Sequence, residues 1–278
     1  MEIVLAIAIL GGLGLVFGLV LAAASKVFHV ETDPRLDQLN EVLPGANCGG
    51  CGYAGCGGYA EAVLSGEAPI GKCNSGGNEC AQAMANIMGV QAEEVTRKVA
   101  LVRCSGAKHY DKDGNLTTGA RLKAKYEGFK DCLSASKVGG SGPLSCKFGC
   151  LGFGTCVKAC KYDAIKIVDG VAKVNEDRCV GCMSCAAACP RKLIVPVEPK
   201  RNVVIACASL AKGAVTTRGC TVGCIGCGLC KKICPNDAIT VERNLAVIDY
   251  SKCDNCGLCA TVCPKKLIKD SKVEHLPS

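Results

Sequence analysis

The chain has no tryptophan, few other aromatic residues and only three histidines. Aromatic residues make up 4% of its 278 residues, and the histidines are His29, His109 and His275. Nucleic-acid-binding platforms stack bases on aromatic side chains, so this scarcity argues against a nucleic-acid partner. The sequence also contains no P-loop, no glycine-rich dinucleotide fingerprint after a strand and no Ser–His–Asp arrangement. No catalytic or nucleotide-binding constellation is therefore visible.

Charge is absent from one long segment near the start of the sequence. No charged residue occurs in Ile3–Ser25. At 1.5 Å per residue, a helix over this segment would be about 34 Å long, which is enough to cross a bilayer core. We therefore predict a single transmembrane anchor. A cleaved signal peptide is the alternative, but Glu2 and the lack of a positive n-region argue against it. Lys26 follows the span, so the positive-inside rule predicts that the remaining chain is cytoplasmic.

Cysteine, in contrast, is abundant, with 25 residues. Three runs have the spacing Cys-x2-Cys-x2-Cys-x3-Cys-Pro, namely Cys179–Pro190, Cys224–Pro235 and Cys253–Pro264. This spacing is typical of bacterial [4Fe–4S] ferredoxins, in which the fourth cysteine of a run ligates the other cluster. Zinc is the alternative, although zinc sites rarely need three such runs or a remote fourth ligand. A disulfide framework is disfavoured because disulfides are typical of small secreted domains.

The cysteine pattern repeats after 74 residues without a gap. Eight cysteines of one segment fall on eight of the next: Cys146, Cys150, Cys156, Cys160, Cys179, Cys182, Cys185 and Cys189 on Cys220, Cys224, Cys230, Cys234, Cys253, Cys256, Cys259 and Cys263. A fixed period indicates repeated structural units, so we predict two tandem two-cluster ferredoxin modules. The loosely alternating segments Ala164–Val168 and Ala238–Val241 are predicted strands beside the clusters.

The crossover rule predicts the ligands of four clusters. Three sets follow directly: Cys179, Cys182, Cys185 and Cys160; Cys224, Cys227, Cys230 and Cys263; Cys253, Cys256, Cys259 and Cys234. The remaining set departs from the pattern, because Phe153 stands where the second module has Cys227 and Lys161 replaces the usual proline. We predict that Cys146 substitutes, giving the set Cys146, Cys150, Cys156 and Cys189. A three-cysteine [3Fe–4S] site, or a ligand from elsewhere, is the alternative.

A fifth predicted set precedes the modules and consists of Cys48, Cys51, Cys56 and Cys73. Its glycine-rich loop lets the backbone approach a cluster closely, and a short helix over Tyr59–Leu64 is expected to close the loop. Structural zinc is again the alternative. Cys80, which lies on a predicted amphipathic helix (Ala81–Met88), is expected to be a buried apolar residue. Val90–Val102 is a further predicted helix.

Four cysteines remain, and they could ligate a sixth cluster: Cys104, Cys132, Cys207 and Cys220. Cys132 and Cys207 occupy similar places before the two modules, which supports a role but leaves open whether Cys146 belongs with this set. Buried free thiols are the alternative.

The formal charge of +8 is offset by the clusters, because each cube with four thiolates is anionic. The holo-protein is therefore expected to be near neutral or slightly acidic. Lysines flank the cluster loops, for example Lys231, Lys232, Lys265 and Lys266. They could offset cluster charge or guide an acidic electron carrier.

The sequence resembles a known family in the stretch Leu43–Cys56, with Phe28, Val30 and Asp33–Arg35 before it. These residues are similar to the B subunit of Rnf-type electron-transport complexes, in an extended form with two ferredoxin modules. The resemblance implies a membrane complex that oxidises reduced ferredoxin, reduces NAD⁺ and pumps Na⁺ or H⁺. It also implies that this subunit takes electrons from ferredoxin, whereas the flavins, the NAD site and the ion path lie in other subunits, some of them integral to the membrane.

Together these observations predict an α+β protein of the inner membrane with its cluster domains on the cytoplasmic side. The predicted divisions are an anchor (1–26), a four-cysteine [4Fe–4S] domain (27–91), a connecting segment (92–140), module 1 (141–200), a bridge (201–215) and module 2 (216–278). The predicted function is electron relay through five [4Fe–4S] clusters, with a sixth left open. The alternative is a self-contained iron–sulfur enzyme with an open iron site for substrate.

Overall fold

The computed structural model describes residues 2–27, 33–92, 94–110, 112, 116–199 and 203–270. Its helices in these ranges are α1 (Glu2–Val27), α2 (Pro34–Val42), α3 (Cys56–Leu64), α4 (Gly77–Met88), α5 (Cys132–Lys137), α6 (Thr155–Lys158), α7 (Ser184–Ala188), α8 (Gly213–Gly219), α9 (Leu229–Ile233) and α10 (Leu258–Thr261). Its strands are β1 (Val99–Val102), β2 (His109–Tyr110), β3 (Leu116–Thr118), β4 (Ile165–Val168), β5 (Val171–Val174), β6 (Ile194–Val197), β7 (Val203–Ile205), β8 (Ile239–Glu242), β9 (Leu245–Ile248) and β10 (Ile268–Asp270).

Two β-hairpins carry the internal repeat. In β4–β5, Ile165 lies opposite Val174, and in β8–β9, Ile239 lies opposite Ile248, so the two registers are also 74 residues apart. Two-residue turns connect the strands, and their residues have positive φ: 50° and 74° at Asp169–Gly170, and 46° and 66° at Arg243–Asn244. Such turns match the right-handed twist of a hairpin. The predicted strands are confirmed to within one residue at each end.

Each module is also extended by a strand from the segment that precedes it in the sequence. Strand β1 pairs antiparallel with β6, and β7 pairs antiparallel with β10. The helix predicted over Val90–Val102 is wrong, because Val99–Val102 form β1 and the described residues before it are not helical. The valines at both ends of β1 are β-branched and favour extended backbone once a partner strand is available.

The helices predicted around the first cysteine set are confirmed and begin earlier than expected. Helix α3 begins at Cys56 and α4 begins at Gly77. Together with α2 they bury Leu39, Tyr59 and Met84, each fully inaccessible to solvent. The predicted helices therefore form a small all-helical domain around the N-terminal cysteines.

Three further small cores contain cysteines among their apolar residues. One core joins Val99 to Ile165 and Val171 of module 1, and another joins Val203 to Ile239 and Leu245 of module 2. A third core contains Ala120, Leu144 and Leu151 together with cysteines of both modules. Domains this small bury little apolar surface, so bound metal is expected to supply much of their folding free energy.

Helix α1 covers the segment without charges. Its side chains are described for residues 11–24, so the remaining residues of the predicted span lie outside the described side chains. Large apolar side chains are exposed in this part, including Leu15, Phe17 and Leu21. Among the described residues, no helix has the length and apolar character that a membrane crossing requires.

Candidate metal centres

The four N-terminal cysteines surround one cavity. Its lining includes Cys48, Cys51, Cys56 and Cys73. The loop is held in shape by Asn47, whose Oδ1 accepts a hydrogen bond of 2.8 Å from the backbone N–H of Cys56. Gly55 has φ 144°, and a Cβ there would lie 2.8 Å from the same Oδ1, so the turn needs glycine. The structure thus brings together the four residues predicted for this site.

Cys80 lies directly beside the fourth cysteine of this cavity. A hydrogen bond from the Cys80 thiol lowers the pKa of Cys73 to about 6, and the same bond raises the pKa of Cys80. Cys80 is buried, as expected from the sequence. Its role as a hydrogen-bond donor to a neighbouring sulfur was not visible in the sequence. Such donors tune the potential of a cluster.

In module 2, one cavity is lined by the first three cysteines of one run and the last cysteine of the next. These are Cys224, Cys227, Cys230 and Cys263. The helices α9 and α10 that follow the two cysteine loops pack against each other. Burial raises the pKa of Cys259 to about 11, with smaller contributions from nearby Cys230, Cys253 and Cys256. Cys234 accepts a 3.4 Å hydrogen bond from the backbone N–H of Ala238.

Module 1 contains one grouping of the same kind. Burial raises the pKa of Cys185 to about 11, and the thiols of Cys179, Cys182 and Cys160 add to this shift. The backbone N–H of Ala100 in β1 donates to the Cys179 sulfur over 3.4 Å. These four cysteines are the set that the crossover rule predicts.

The other cavity of module 1 differs from the grouping expected from the sequence. It is lined by Cys150, Cys156 and Cys189 together with Cys132, whereas Cys146 is absent from its lining. Burial raises the pKa of Cys156 to about 12, and the first thiols that add to this shift are Cys150 and Cys132.

Local contacts explain how Cys132 reaches this cavity. Asp131 caps helix α5 by accepting a 2.9 Å bond from the N–H of Ser134. The N–H of Cys132 donates to Thr155 Oγ1 over 2.7 Å, which ties the start of α5 to the start of α6. Phe153, in the place of the missing cysteine, lies against Tyr126 with a ring-centroid distance of 5.2 Å. The position of Cys132 therefore depends on contacts that are remote in sequence.

A further cavity is lined by four cysteines outside these groups. They are Cys104, Cys146, Cys207 and Cys220. Of the set suggested for a sixth cluster, the structure brings together Cys104, Cys207 and Cys220, and it places Cys146 beside them instead of Cys132.

The donor sets in these four cavities fit [4Fe–4S] clusters. Each cavity presents four cysteine sulfurs, the usual ligation of such a cube. Among the residues that the structure describes, no three His, Cys, Asp or Glu side chains converge as a single metal ion requires. Burial in an apolar environment disfavours the thiolate form, and a cationic iron core offsets that cost.

Named proteins with similar sequences match most of the chain. It is 43% identical to the B subunit of the Na(+)-translocating ferredoxin:NAD(+) oxidoreductase complex of Acetobacterium woodii, over 90% of this chain and 73% of the relative. It is 40% identical to the B subunit of the ion-translocating oxidoreductase complex of Methanosarcina acetivorans, over 89% and 90% of the two chains. The chain belongs to this B-subunit family. A third member, from the proton-translocating ferredoxin:NAD(+) oxidoreductase complex of Clostridium ljungdahlii, is 42% identical over 87% and 82%.

Family models agree with the cluster assignment. A putative Fe-S cluster model matches residues 43–75, and 4Fe-4S dicluster models match 145–201, 223–267 and 178–239. The chain thus carries several [4Fe–4S] clusters, with two ferredoxin-like domains that follow an N-terminal iron–sulfur domain. It is an iron–sulfur electron-relay subunit of an ion-translocating ferredoxin:NAD(+) oxidoreductase complex, which confirms the family predicted from the sequence.

The N-terminal domain of this B-subunit family member docks on module 1 next to a cysteine loop. Asn74, which follows Cys73, donates from Nδ2 to the carbonyl of Lys98 at 2.9 Å and to that of Val180 at 3.0 Å. A Cβ at Gly50 would lie 2.8 Å from the carbonyl oxygen of Cys182, so glycine permits this close approach. The N-terminal cavity and the Cys182 loop are therefore neighbours.

Proposed function

We propose that the subunit accepts electrons from reduced ferredoxin and passes them through its clusters to flavin- and NAD-binding partner subunits. The observation that carries the proposal is the direct contact between successive cysteine loops, such as Gly50 against Cys182. Electrons can then move between buried clusters without a diffusible carrier. The alternative, an enzyme with an open iron site, would need a cage with a missing ligand, and each of the four cavities has four cysteines.

For the ligands we propose six sets, of which four follow the sequence prediction unchanged. They are Cys48, Cys51, Cys56 and Cys73; Cys132, Cys150, Cys156 and Cys189; Cys160, Cys179, Cys182 and Cys185; Cys224, Cys227, Cys230 and Cys263; Cys234, Cys253, Cys256 and Cys259; Cys104, Cys146, Cys207 and Cys220. Cys132 replaces Cys146 in the second set because it shares a cavity with the other three. The domain boundaries predicted above are kept as part of this proposal.

We place the ferredoxin-docking surface on module 2. Its Cys227 and Cys256 are both exposed, whereas Cys182 of module 1 is partly covered by the N-terminal domain. Exposed Leu229 and Leu258 lie two residues after the exposed cysteines. Exposed lysines follow in sequence, including Lys231, Lys232 and Lys266. Apolar contacts with a basic rim suit a small acidic protein that binds transiently.

For the membrane we propose that α1 anchors the subunit and that the cluster domains are cytoplasmic. Support comes from the uncharged segment Ile3–Ser25 and from the exposed apolar side chains of α1. A reducing cytoplasm also suits free thiolates and oxygen-sensitive clusters.

The docking proposal is tested by reversing charge on module 2. The variant Lys231→Glu/Lys232→Glu should slow second-order reduction of the subunit by ferredoxin at low salt, and the difference should shrink as salt screens the charges. The matched control Lys130→Glu/Lys166→Glu makes the same change at exposed lysines elsewhere. Equal rates for the two variants in stopped-flow mixing would contradict docking at module 2.

A further inference from the structure

A buried serine hydroxyl lies beside one of the four-cysteine cavities without a hydrogen-bond partner. The cavity is the one lined by Cys104, Cys146, Cys207 and Cys220, and we call it the Cys104 cavity. Ser105 is part of the same lining. Among the residues that the structure describes, two buried side-chain polar atoms have no hydrogen-bond partner, and Ser105 Oγ is one of them. A buried hydroxyl without a partner is destabilising, which points to a partner supplied by the occupant of the cavity.

The other described hydroxyl side chains in this lining are paired within the protein. Ser209 Oγ and Thr216 Oγ1 both belong to the lining and lie 3.2 Å apart. Thr216 Oγ1 also donates to the Ala211 carbonyl at 3.2 Å. These two hydroxyls are therefore satisfied by protein groups, whereas that of Ser105 is not.

The backbone on both sides of Ser105 is fixed by hydrogen bonds that do not involve its side chain. Ser105 N–H donates to the Ala206 carbonyl at 2.8 Å. Cys104 Sγ accepts from the N–H of Gly106 at 3.4 Å and from that of Cys150 at 3.3 Å. The Ser105 side chain is thus held at the cavity by its neighbours and not by any bond of its own.

Serine hydroxyls already lie against cysteine sulfurs in two other cages of this chain. Ser75 Oγ is 3.6 Å from Cys48 Sγ, and Ser184 Oγ is 3.4 Å from Cys182 Sγ. Both cysteines belong to ligand sets proposed above. A hydroxyl carries one proton that it can donate to an anionic sulfur. The contact expected for Ser105 therefore has precedents within the same molecule.

The surroundings of the Cys104 cavity suit an anionic occupant. Arg103 is part of its lining. Arg191 lines the module 1 cavity that contains Cys132, and its Nη1 donates to the Cys146 carbonyl at 3.0 Å and to the Gly149 carbonyl at 2.5 Å. Guanidinium groups at these positions offset the negative charge of a thiolate-ligated cluster. A hydroxyl proton directed at such a cluster acts in the same sense at shorter range.

The second half of the cavity provides an internal comparison for Ser105. Cys104 lies two residues after the end of β1, and Cys207 lies two residues after the end of β7. The next residue is Ser105 in the first case and Ala208 in the second, and both line the cavity. Since alanine is accepted at the equivalent position, the local backbone does not need a hydroxyl. This favours a role for the Ser105 hydroxyl toward the occupant.

We propose that the Ser105 hydroxyl donates a hydrogen bond to a sulfur of the [4Fe–4S] cluster in the Cys104 cavity and so raises the reduction potential of that cluster. The reduced cluster carries one more negative charge than the oxidised one, so the bond stabilises the reduced form more. Only an electron is exchanged, and the serine keeps its proton. The inference rests on the ligand set proposed above for this cavity.

A redox titration of the reconstituted full chain, followed by electron paramagnetic resonance, tests the inference. The signal of this cluster is the one that Cys104→Ala/Cys207→Ala removes. In Ser105→Ala that signal should remain, and the ratio of reduced to oxidised cluster at a fixed potential should fall about tenfold, which corresponds to about 59 mV for one electron. Ser105→Thr keeps the hydroxyl and should restore most of the ratio. The control Ser65→Ala, at an exposed serine, should leave it unchanged.

The possible failures can be told apart. An unchanged ratio in Ser105→Ala at full iron content would overturn the inference and leave the ligand set standing. A shift of all cluster signals alike would show a general structural change and would also overturn it. If no signal depends on Cys104 and Cys207, the ligand set fails and the inference fails with it.

An experimental structure of the unsubstituted, cluster-loaded chain gives a test that does not depend on how the variants fold. Ser105 Oγ should lie within hydrogen-bonding distance of a cluster sulfide or of a ligating cysteine sulfur. A hydroxyl directed at a protein carbonyl instead would overturn the inference.

Discussion

Cysteine pairs that share a cage should behave differently from pairs that do not when both are replaced. Cys132 and Cys150 line the same cavity, whereas Cys146 lines a different one. Six four-iron cages give about 24 iron atoms per chain, one lost cage leaves about 20, and two lost cages leave about 16. We therefore expect about 20 for Cys132→Ala/Cys150→Ala and about 16 for Cys146→Ala/Cys150→Ala.

The assay is iron and acid-labile sulfide per chain, with electron paramagnetic resonance of the reduced protein to confirm which signals disappear. Replacing the Cys150 side chain leaves its backbone N–H in place, so the hydrogen bond to Cys104 Sγ is retained and the neighbouring cage is not directly disturbed. Conversion to a [3Fe–4S] cluster would show as an oxidised-state signal and a smaller iron loss. The opposite pattern, 16 for the Cys132 pair and 20 for the Cys146 pair, would refute the grouping and restore the one expected from the sequence.

Three further predictions concern charge, docking and the anchor. Arg191→Gln removes a partly buried positive charge beside two cages. In a redox titration, the reduction potential of at least one cluster should therefore become more negative by about 40–90 mV, which corresponds to roughly 1–2 kcal/mol. Arg191→Lys keeps the charge and should shift the potential less. Asn74→Ala removes three hydrogen bonds between the N-terminal domain and the region around module 1, each worth about 1 kcal/mol. Hydrogen exchange at this contact should therefore accelerate, whereas the control Asn86→Ala, at an exposed asparagine, should have no such effect. Removal of residues 1–25 should give a soluble protein with unchanged iron content, because every cysteine lies beyond that segment; a truncated chain that stays in membranes without its partners, or loses iron, would contradict the anchor proposal.

Much of the fold could be predicted because its signals are local in sequence. One strand of each hairpin, β4 and β8, is visible as a loosely alternating segment, and the ungapped repeat reveals two modules; the partner strands β5 and β9 were not predicted. The helices α3 and α4 carry their own apolar pattern. Strand β1 was missed because its apolar residues could fit a helix or a strand, and its partner β6 lies almost a hundred residues away.

The cysteine spacing could not predict which thiols line the Cys132 cavity and which line the Cys104 cavity. Cys146 aligns with Cys220 in the repeat, and the structure places both in the lining of the Cys104 cavity. Cys132 reaches its cage through the hydrogen bond to Thr155 and not through any spacing rule. Where a ferredoxin run has lost a cysteine, the substitute can come from any segment that tertiary contacts bring near.

The central proposal is that this subunit relays electrons from ferredoxin and has no chemistry of its own with NAD⁺. Anaerobic mixing of the purified full-length subunit with reduced ferredoxin, followed by the visible absorbance of the clusters and by NADH formation, tests it directly. The account predicts that the clusters bleach as they are reduced and that added NAD⁺ is not converted to NADH. Efficient NAD⁺ reduction by the subunit alone, or no bleaching by reduced ferredoxin, would contradict it.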